Sequence, residues 1–471
     1  MRKAAVVLAL LVLAGCQSDD PRSDDPGFPS SRTPAASPTS PDSLLIGLVG
    51  TLSGPDEWRG EDAFEGAEPA IHRLNRTRGD GPRFELVTRD DGGDPQRATE
   101  LVEELAANDR YVGIVYAGPP QGLPPAEPAL ARAGIPALLC FGDLYYSREL
   151  SPHVFQMSPS YLWGARRLAA YLFRDRRYRT VTAIVEPGSP SREALLTAFG
   201  EEGRRPRRMI TGGGDLRDDL RVLKRSKAEA IVVDAGPRRT AEVIETLRSM
   251  GSLYRSTDRA RIASAGSRKL ARRHARKWRP QIVTFDLGMS ARVAAARPPA
   301  GTIAADTYAR GASHLPVPSL QRFAADFREW WADQPPFGWE LRSYDAVRAL
   351  GWAVGRGGDD LAETLEGLRQ MRFGGLPITF GPDDHTAVEQ TTVGLWAVPR
   401  PPVLKGLRER DDLALPWAML HRGFTIDGEH TMVLNRDWKH LFSGRTFPKG
   451  PTPKLTRARF GITTSRKDPV H

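Results

Sequence analysis

Cysteine is nearly absent: the 471 residues hold two, Cys16 and Cys140. With Cys16 in an N-terminal leader, Cys140 has no counterpart, so the body is expected to carry no disulfide and to rely on its apolar core. Long hydrophobic runs are missing too. The apolar stretch from Ala4 to Val12 falls short of the roughly 20 residues a membrane-spanning helix needs, and no later run is long enough. The nine histidines are scattered without the spacing of a metal centre. Catalytic signatures are also lacking. There is no Gly-x-Ser-x-Gly elbow, no His-Glu-x-x-His and no phosphate loop ending in Gly-Lys-Ser/Thr. These absences argue against an enzyme, and neither a cofactor nor a metal is expected.

What is present begins at the N-terminus. Arg2 and Lys3 precede the apolar run, which closes on Leu13-Ala14-Gly15-Cys16. A basic start, a short apolar segment and small residues before a cleavage point read as an export signal. Ending on cysteine, the stretch resembles the bacterial lipoprotein lipobox. That resemblance implies a signal peptide over residues 1–15, cleavage before Cys16, and acylation of the Cys16 thiol and new amino terminus. Several acyl chains hold a protein at a bilayer far more durably than one. The alternative is an ordinary cleaved signal with an incidental cysteine. From Gln17 to Asp42 nearly every residue is Ser, Asp, Pro, Thr, Gly, Ala or Arg, and Phe28 is the only large apolar one. Such a segment cannot bury enough surface to fold, so residues 16–42 are expected to form a disordered tether.

The formal charge is +10. From Arg400 to His471 fourteen Lys/Arg face seven Asp/Glu, so the C-terminal stretch carries most of the excess. A second basic cluster runs from Arg268 to Arg279, with Leu270, His274 and Trp278 at i, i+4 and i+8. It reads as a helix with one apolar stripe, its basic faces either solvated or set against anionic envelope polymers or lipid heads. A nucleic-acid partner is not expected for an exported chain.

Between Ser43 and Ala397 short apolar runs alternate with helical patterns. Strands are expected at Leu44–Val49, Phe84–Thr88, Val112–Tyr116, Val181–Val185, Ile231–Val233 and Ile262–Ala265. Helices are expected at Gly60–Asn75, Pro95–Asn108 and around Ala126–Ala133. Near-continuous apolar strands alternating with helices call for parallel sheets covered on both faces, and so many strands fit two lobes better than one sheet.

Several stretches, in order, resemble the type I periplasmic solute-binding proteins, particularly the branch containing branched-chain amino-acid receptors. They are Ile46-Gly47-Leu48-Val49-Gly50-Thr51-Leu52-Ser53-Gly54, then Asp90-Asp91-Gly92-Gly93-Asp94-Pro95, then Gly134-Ile135-Pro136. Phe155-Gln156-Met157-Ser158-Pro159, Tyr344-Asp345-Ala346-Val347 and Phe373 to Phe380 continue the series. The resemblance implies an α/β fold of two doubly wound Rossmann-like lobes, with parallel central sheets joined by a multi-strand hinge. It places residues 43–157 plus 286–385 in the first lobe and 158–285 plus 386–400 in the second. Residues 401–471 form a basic extension beyond the resemblance. There Asp427-Gly428 marks a hairpin docked on a lobe, followed by a mobile tail.

In two-lobe binders the ligand enters at the carboxyl ends of the strands. The expected ligand contacts are Ser53, Trp58, Asp91, Gly118, Gln121, Phe141 and Asp143 on one wall, with Tyr161, Glu186, Ser189, Asp234 and Asp286 on the other. Alternatives stand beside each. Trp58 stacks on a solute or packs locally, Tyr161 belongs to the cleft or the core, and the aspartates bind a cationic group, cap helices or face solvent. Asp94 is read as the cap of the helix that Pro95 opens. By resemblance the chain is a membrane-anchored, extracytoplasmic receptor that delivers a small polar solute, an amino acid or amide among the candidates, to an ABC permease. A sensing or scaffold lipoprotein that acts on another membrane protein is the alternative. Pro119 and Pro120 stand where the resemblance leads one to expect serine, and they withdraw backbone donors.

Overall fold

A computed structural model describes residues 40–398 apart from internal stretches, the longest being 143–148, 254–277, 286–292, 308–317 and 332–338. It also describes four short strands beyond residue 400. The expected signal peptide, most of the tether, Ile262–Ala265 and most of the 268–279 basic cluster lie outside these residues.

The first sheet contains β1 (Leu44–Gly50), β2 (Phe84–Asp90), β3 (Tyr111–Ala117), β4 (Ala137–Leu139) and β5 (Val154–Gln156). Its order is β2-β1-β3-β4-β5, and every pairing is parallel. The connecting helices are α1 (Trp58–Thr77), α2 (Pro95–Ala106) and α3 (Leu123–Ala133). In α1 the spacing of Phe64, Ala67, Ile71 and Leu74 puts all four on one buried face. α2 turns Leu101, Val102 and Leu105 against the opposite side of the sheet. Asp94 caps α2, its Oδ1 accepting from the Gln96 amide at 2.9 Å, while Pro95 fills the first helical position without wasting a donor. Gly134 closes α3 at φ 64°, a left-handed position that suits glycine.

The second sheet gathers β6 (Val181–Val185), β7 (Arg208–Thr211), β8 (Ala230–Asp234), β9 (Gln281–Phe285), β10 (Ile303–Thr307), β11 (Val393–Ala397) and β12 (Ala418–Met419). Its order is β12-β11-β10-β9-β8-β6-β7, parallel from β10 through β7, with β11 and β12 added antiparallel. α4 (Tyr161–Ala169) and α5 (Ser191–Glu201) cover one face, while α6 (Leu216–Arg225) and α7 (Gly236–Ser249) cover the other. Trp278, the last residue of the apolar stripe read in the basic cluster, packs beside this core and donates its indole N–H to the Ala228 carbonyl at 2.7 Å.

The chain then returns to the first lobe as α8 (Pro318–Trp330), α9 (Glu340–Arg356) and α10 (Leu361–Leu365). Phe323 and Phe327 of α8, and Leu341, Tyr344 and Val347 of α9, join the core beneath α1. These crossings correct the expected division of the chain. β10 belongs to the second sheet, so the return to the first lobe follows Thr307 and does not occur at Asp286. Ala387 and Val388 still pack in the first core, which places the last crossing after Val388 and not at Thr386. An alanine-rich strand such as Ile303-Ala304-Ala305-Asp306-Thr307 gives a weak apolar signal, yet burial on both faces holds it.

Beyond residue 400, β13 (Phe424–Thr425) and β14 (Thr431–Leu434) pair antiparallel, while the Asp427-Gly428 expected to turn between them lies outside the described residues. β15 (Ile462–Ser465) adds to β14, so part of the stretch expected to be a mobile tail takes part in a sheet.

Candidate functional site

Loops leaving the carboxyl ends of both parallel sheets line one cleft between the lobes. Its inner part, narrow, is walled by Phe141, Ser158, Tyr161, Phe285, Asp306 and Arg342. Its outer part, about 1010 Å³ and open to solvent, is walled by Thr51, Asp56, Gln121, Glu186, Ser189 and Asp234. Arg59, Gly142 and Tyr161 border both.

On the first wall the Asp90-Asp91 pair shapes loops. Asp90 Oδ1 accepts from the amides of Leu52 and Gly92, each at 2.9 Å. Burial works against ionisation here, but hydrogen bonds from Ser53, Gly92 and Leu52 prevail and hold this carboxyl below its ordinary range. Asp91 is buried, and its Oδ1 accepts from the Thr51 hydroxyl at 2.8 Å and the Gly93 amide at 2.7 Å. Burial outweighs those bonds and pushes its carboxyl up. A Cβ at Gly118 would collide with Asp91 Oδ2, so this glycine is what lets the β3 loop pass. Ser53 is exposed and bonds Asp90. Trp58 packs edge-on against Phe141, with ring centroids 5.2 Å apart, and tilted against Trp339 at 5.4 Å. Ser53, Trp58, Asp91 and Gly118, four of the expected contacts, build the loops and are not among the residues that wall these two parts of the cleft.

The structure adds two arginines that the sequence reading missed. Arg59 stands one residue into α1, its guanidinium carbon 5.4 Å from the Trp58 ring centroid. Its Nε is buried with no hydrogen-bond partner, and no carboxylate among the described residues forms an ion pair with it. Arg342, only 5% exposed, donates to the Cys140 carbonyl at 3.3 Å and lies 5.6 Å from the Phe141 ring centroid. Neither had a sequence signal beyond its charge, because an arginine at the start of a helix in a polar loop looks like a solvated one.

Across the cleft, Ser160 caps α4 by accepting from the Leu162 amide at 3.3 Å, which sets Tyr161 edge-on to Phe285 at 5.6 Å. Glu186 is exposed at the rim. Partial desolvation by the walls pushes its carboxyl up, Arg59 pulls it down, and Asp56 adds to the rise. The Ser189 hydroxyl lies 2.8 Å from that of Ser191 and donates to buried Asp234 Oδ2 at 3.3 Å. Ser158, in the first crossing, is buried with its hydroxyl unpartnered. Of the expected contacts, the cleft therefore gathers Gln121, Phe141, Tyr161, Glu186, Ser189 and Asp234. Asp143 and Asp286 lie outside the described residues. The arrangement sets a positive charge on the first lobe against carboxylates on the second, with hydroxyls between.

The architecture matches known proteins. The family model for periplasmic binding proteins matches residues 43–397. The structure is similar to the branched-chain amino acid transporter substrate-binding protein LivJ of Streptococcus pneumoniae in complex with isoleucine, with a TM-score of 0.60 and 16% identity over 76% of this chain and 95% of that one. It is similar to a periplasmic binding protein type 1 from Bordetella pertussis, with a TM-score of 0.62 and 17% identity over 76% and 98% of the two chains. It is also similar to an R. palustris ABC transporter solute-binding protein in complex with 4-hydroxybenzoate, with a TM-score of 0.60 and 18% identity over 76% and 94%. Among the described residues no helix is long and apolar enough to cross a membrane. With two parallel α/β lobes, a cleft at the strand ends and a family match across three quarters of its length, the chain belongs to the periplasmic binding protein family, whose members bind solutes rather than convert them.

Proposed function

We propose that this protein is a lipid-anchored, extracytoplasmic receptor that closes on a small polar solute carrying a carboxylate and presents it to an ABC permease. One observation carries the reading of the solute: Arg59 brings to the cleft a guanidinium whose buried Nε has no hydrogen-bond partner among the described residues, opposite Glu186 and Asp234. A buried N–H donor left without a hydrogen bond is costly, so a solute carboxylate that pairs with it gains a charge-assisted contact. Isoleucine and 4-hydroxybenzoate, held by two of the similar structures, both carry that group. The acids of the second lobe suit an amino or amide nitrogen on the same solute. The lipid anchor rests on Leu13-Ala14-Gly15-Cys16.

A second reading, a sensor or scaffold acting on a membrane partner, is favoured by Pro119 and Pro120. Both line the cleft and offer no N–H.

Thermal unfolding of the protein against amino acids, amides, aromatic acids, sugars and polyamines separates the two readings. A ligand at 100 times its dissociation constant adds about 2.7 kcal/mol to the folded state. The receptor reading expects a carboxylate to raise the midpoint and Arg59→Met to abolish the rise. A folded protein that responds to nothing in the panel supports the sensor. Solutes that bind equally well to Arg59→Met sink the assignment of Arg59. For the anchor, Cys16→Ser is expected to move the protein from the membrane to the soluble fraction, and an unchanged distribution refutes it.

A further inference from the structure

A second polar pocket lies away from the cleft, on the flank of the first lobe where three helices meet. Each helix contributes a pair at i and i+4 spacing: Arg73 and Thr77 from α1, Arg322 and Asp326 from α8, Tyr344 and Arg348 from α9. Arg372 and Trp352 complete the wall. The helices come this close because α9 carries Gly351 against Leu74 of α1, where a Cβ would stand 2.5 Å from the leucine Cδ2.

The charges in this pocket do not balance. Four arginines line it with one carboxylate, Asp326. That carboxylate is already engaged. Its Oδ2 accepts from the Tyr344 hydroxyl at 2.6 Å, and its Oδ1 faces Arg73 at 3.4 Å and Arg76 at 3.5 Å. Arg348 is left over. Its Nε and Nη1 are both buried with no hydrogen-bond partner among the described residues. Asp345, the acid next along α9, is fully buried and accepts from the Gly374 amide at 2.5 Å. Burial pushes its carboxyl up to about 8 against the pull of the Gly374 amide and Arg348, which weakens it as a counter-charge. A guanidinium with two orphaned donors, beside Arg322, which likewise has no carboxylate partner among the described residues, calls for an external anion bearing several acceptor oxygens and more than one negative charge.

We propose that this pocket is an anion site separate from the solute cleft, which binds a phosphate group through Arg348, with Arg73, Arg322 and Arg372 around it. The group comes from free phosphate or from a phospholipid head. The site is independent of the cleft reading and stands or falls apart from it.

Calorimetry with inorganic phosphate tests the free source, against chloride and acetate at matched ionic strength. Retention on phosphatidylglycerol vesicles, against phosphatidylcholine vesicles, tests the lipid source. Arg348→Met is expected to weaken the interaction about tenfold or more, as loss of charge-assisted hydrogen bonds does. Arg322→Gln, at an exposed position, is expected to weaken it less while leaving the fold intact. Arg59→Met, in the cleft, should leave it unchanged. Without anion, Arg348→Met is expected to unfold no earlier than the parent, since it removes an unpaired buried charge. Phosphate binding lost in Arg348→Met establishes the free source, and a phosphatidylglycerol preference lost in the same variant establishes the lipid source. If the protein binds neither, or binds acetate as well as phosphate, or if Arg348→Met binds like the parent, the proposal is overturned.

Discussion

Gly66 sits at the midpoint of α1, buried where that helix crosses the first turn of α9. A methyl group there would overlap the Glu340 carbonyl oxygen and the Ser343 hydroxyl and lie 2.6 Å from the Glu340 carbonyl carbon. Ordinary Cβ contacts begin near 3.4 Å, so α9 would have to retreat by more than an ångström from the Glu340 oxygen. The obstacle is backbone, which cannot swing aside like a side-chain tip. Overpacking of this kind costs about 1–3 kcal/mol, and the backbone obstacle places Gly66→Ala at the upper end. Alanine returns about 1 kcal/mol of helix propensity. The expected net loss is about 2 kcal/mol, or a midpoint lowered by about 4–8 °C for the first lobe unfolding as a unit of roughly 200 residues. Gly200→Ala is the matched control. Gly200 lies in α5 with nothing within 4 Å of its added methyl, so only the propensity gain remains and the midpoint should rise slightly. Thermal unfolding followed by circular dichroism measures both. A Gly66→Ala protein that melts at or above the parent temperature would refute the claim that the α1–α9 contact is closed by backbone. Because α1 also carries Arg59 and Arg73, its displacement should weaken solute and phosphate binding together.

Asp345 makes the stability of the first lobe depend on pH. Its folded carboxyl is pushed up to about 8 by burial, from an ordinary 3.8, so between these values the unfolded chain has released a proton that the folded chain keeps. Stability from this group is therefore fully present below about pH 4, falls as pH rises towards 8, and is level above. Asp345→Asn keeps the acceptor for the Gly374 amide and should gain on the parent progressively across that window in urea unfolding. Glu68, pushed up to about 7 by burial, remains in the variant and leaves a shallower slope of the same sign. Parallel curves for the two proteins would contradict the assignment. Cys140 is 1% exposed, and burial pushes its thiol up to about 12, so iodoacetamide at pH 8 should modify it only after denaturation. Rapid labelling of Cys140 in the native protein would show that the cleft floor opens.

Most of the first lobe was legible because its signals are local and redundant. β1, β2 and β3 are apolar runs bounded by glycine, aspartate or arginine, and Asp94-Pro95 announces a helix start that the Gln96 amide bond confirms. The loops that form the cleft followed from the carboxyl ends of those strands. Side-chain roles inside the loops did not follow. Asp91 and Gly118 have the composition of ligand contacts, but each is consumed by the other, since the carboxylate occupies the space a Cβ would need. Trp58 and Arg59 are neighbours in a polar stretch. Which of them packs and which faces the cleft depends on Phe141 and Trp339, 83 and 281 positions away in the chain. β10 was misplaced for a different reason. Its lobe is decided by the partners it pairs with, β9 and β11, and not by its own five residues.

The first and last crossings between the lobes lie side by side. Gln156 pairs with Thr386 in parallel: its amide donates to the His385 carbonyl, and its own carbonyl accepts from the Ala387 amide, both at 2.8 Å. His385 is clamped on the first lobe, stacked on Phe155 at 4.1 Å with its ring nitrogens 2.9 Å from the Val154 carbonyl and 3.0 Å from Glu366. This riveted pair behaves as a two-ply strap that resists bending along its length, so rotation between the lobes is expected just beyond Gln156, at residues 157–160. Ser158 stands there, at the wall of the cleft, with a buried hydroxyl that has no hydrogen-bond partner among the described residues. A solute that takes this hydroxyl touches the pivot itself, where a small push turns the whole second lobe.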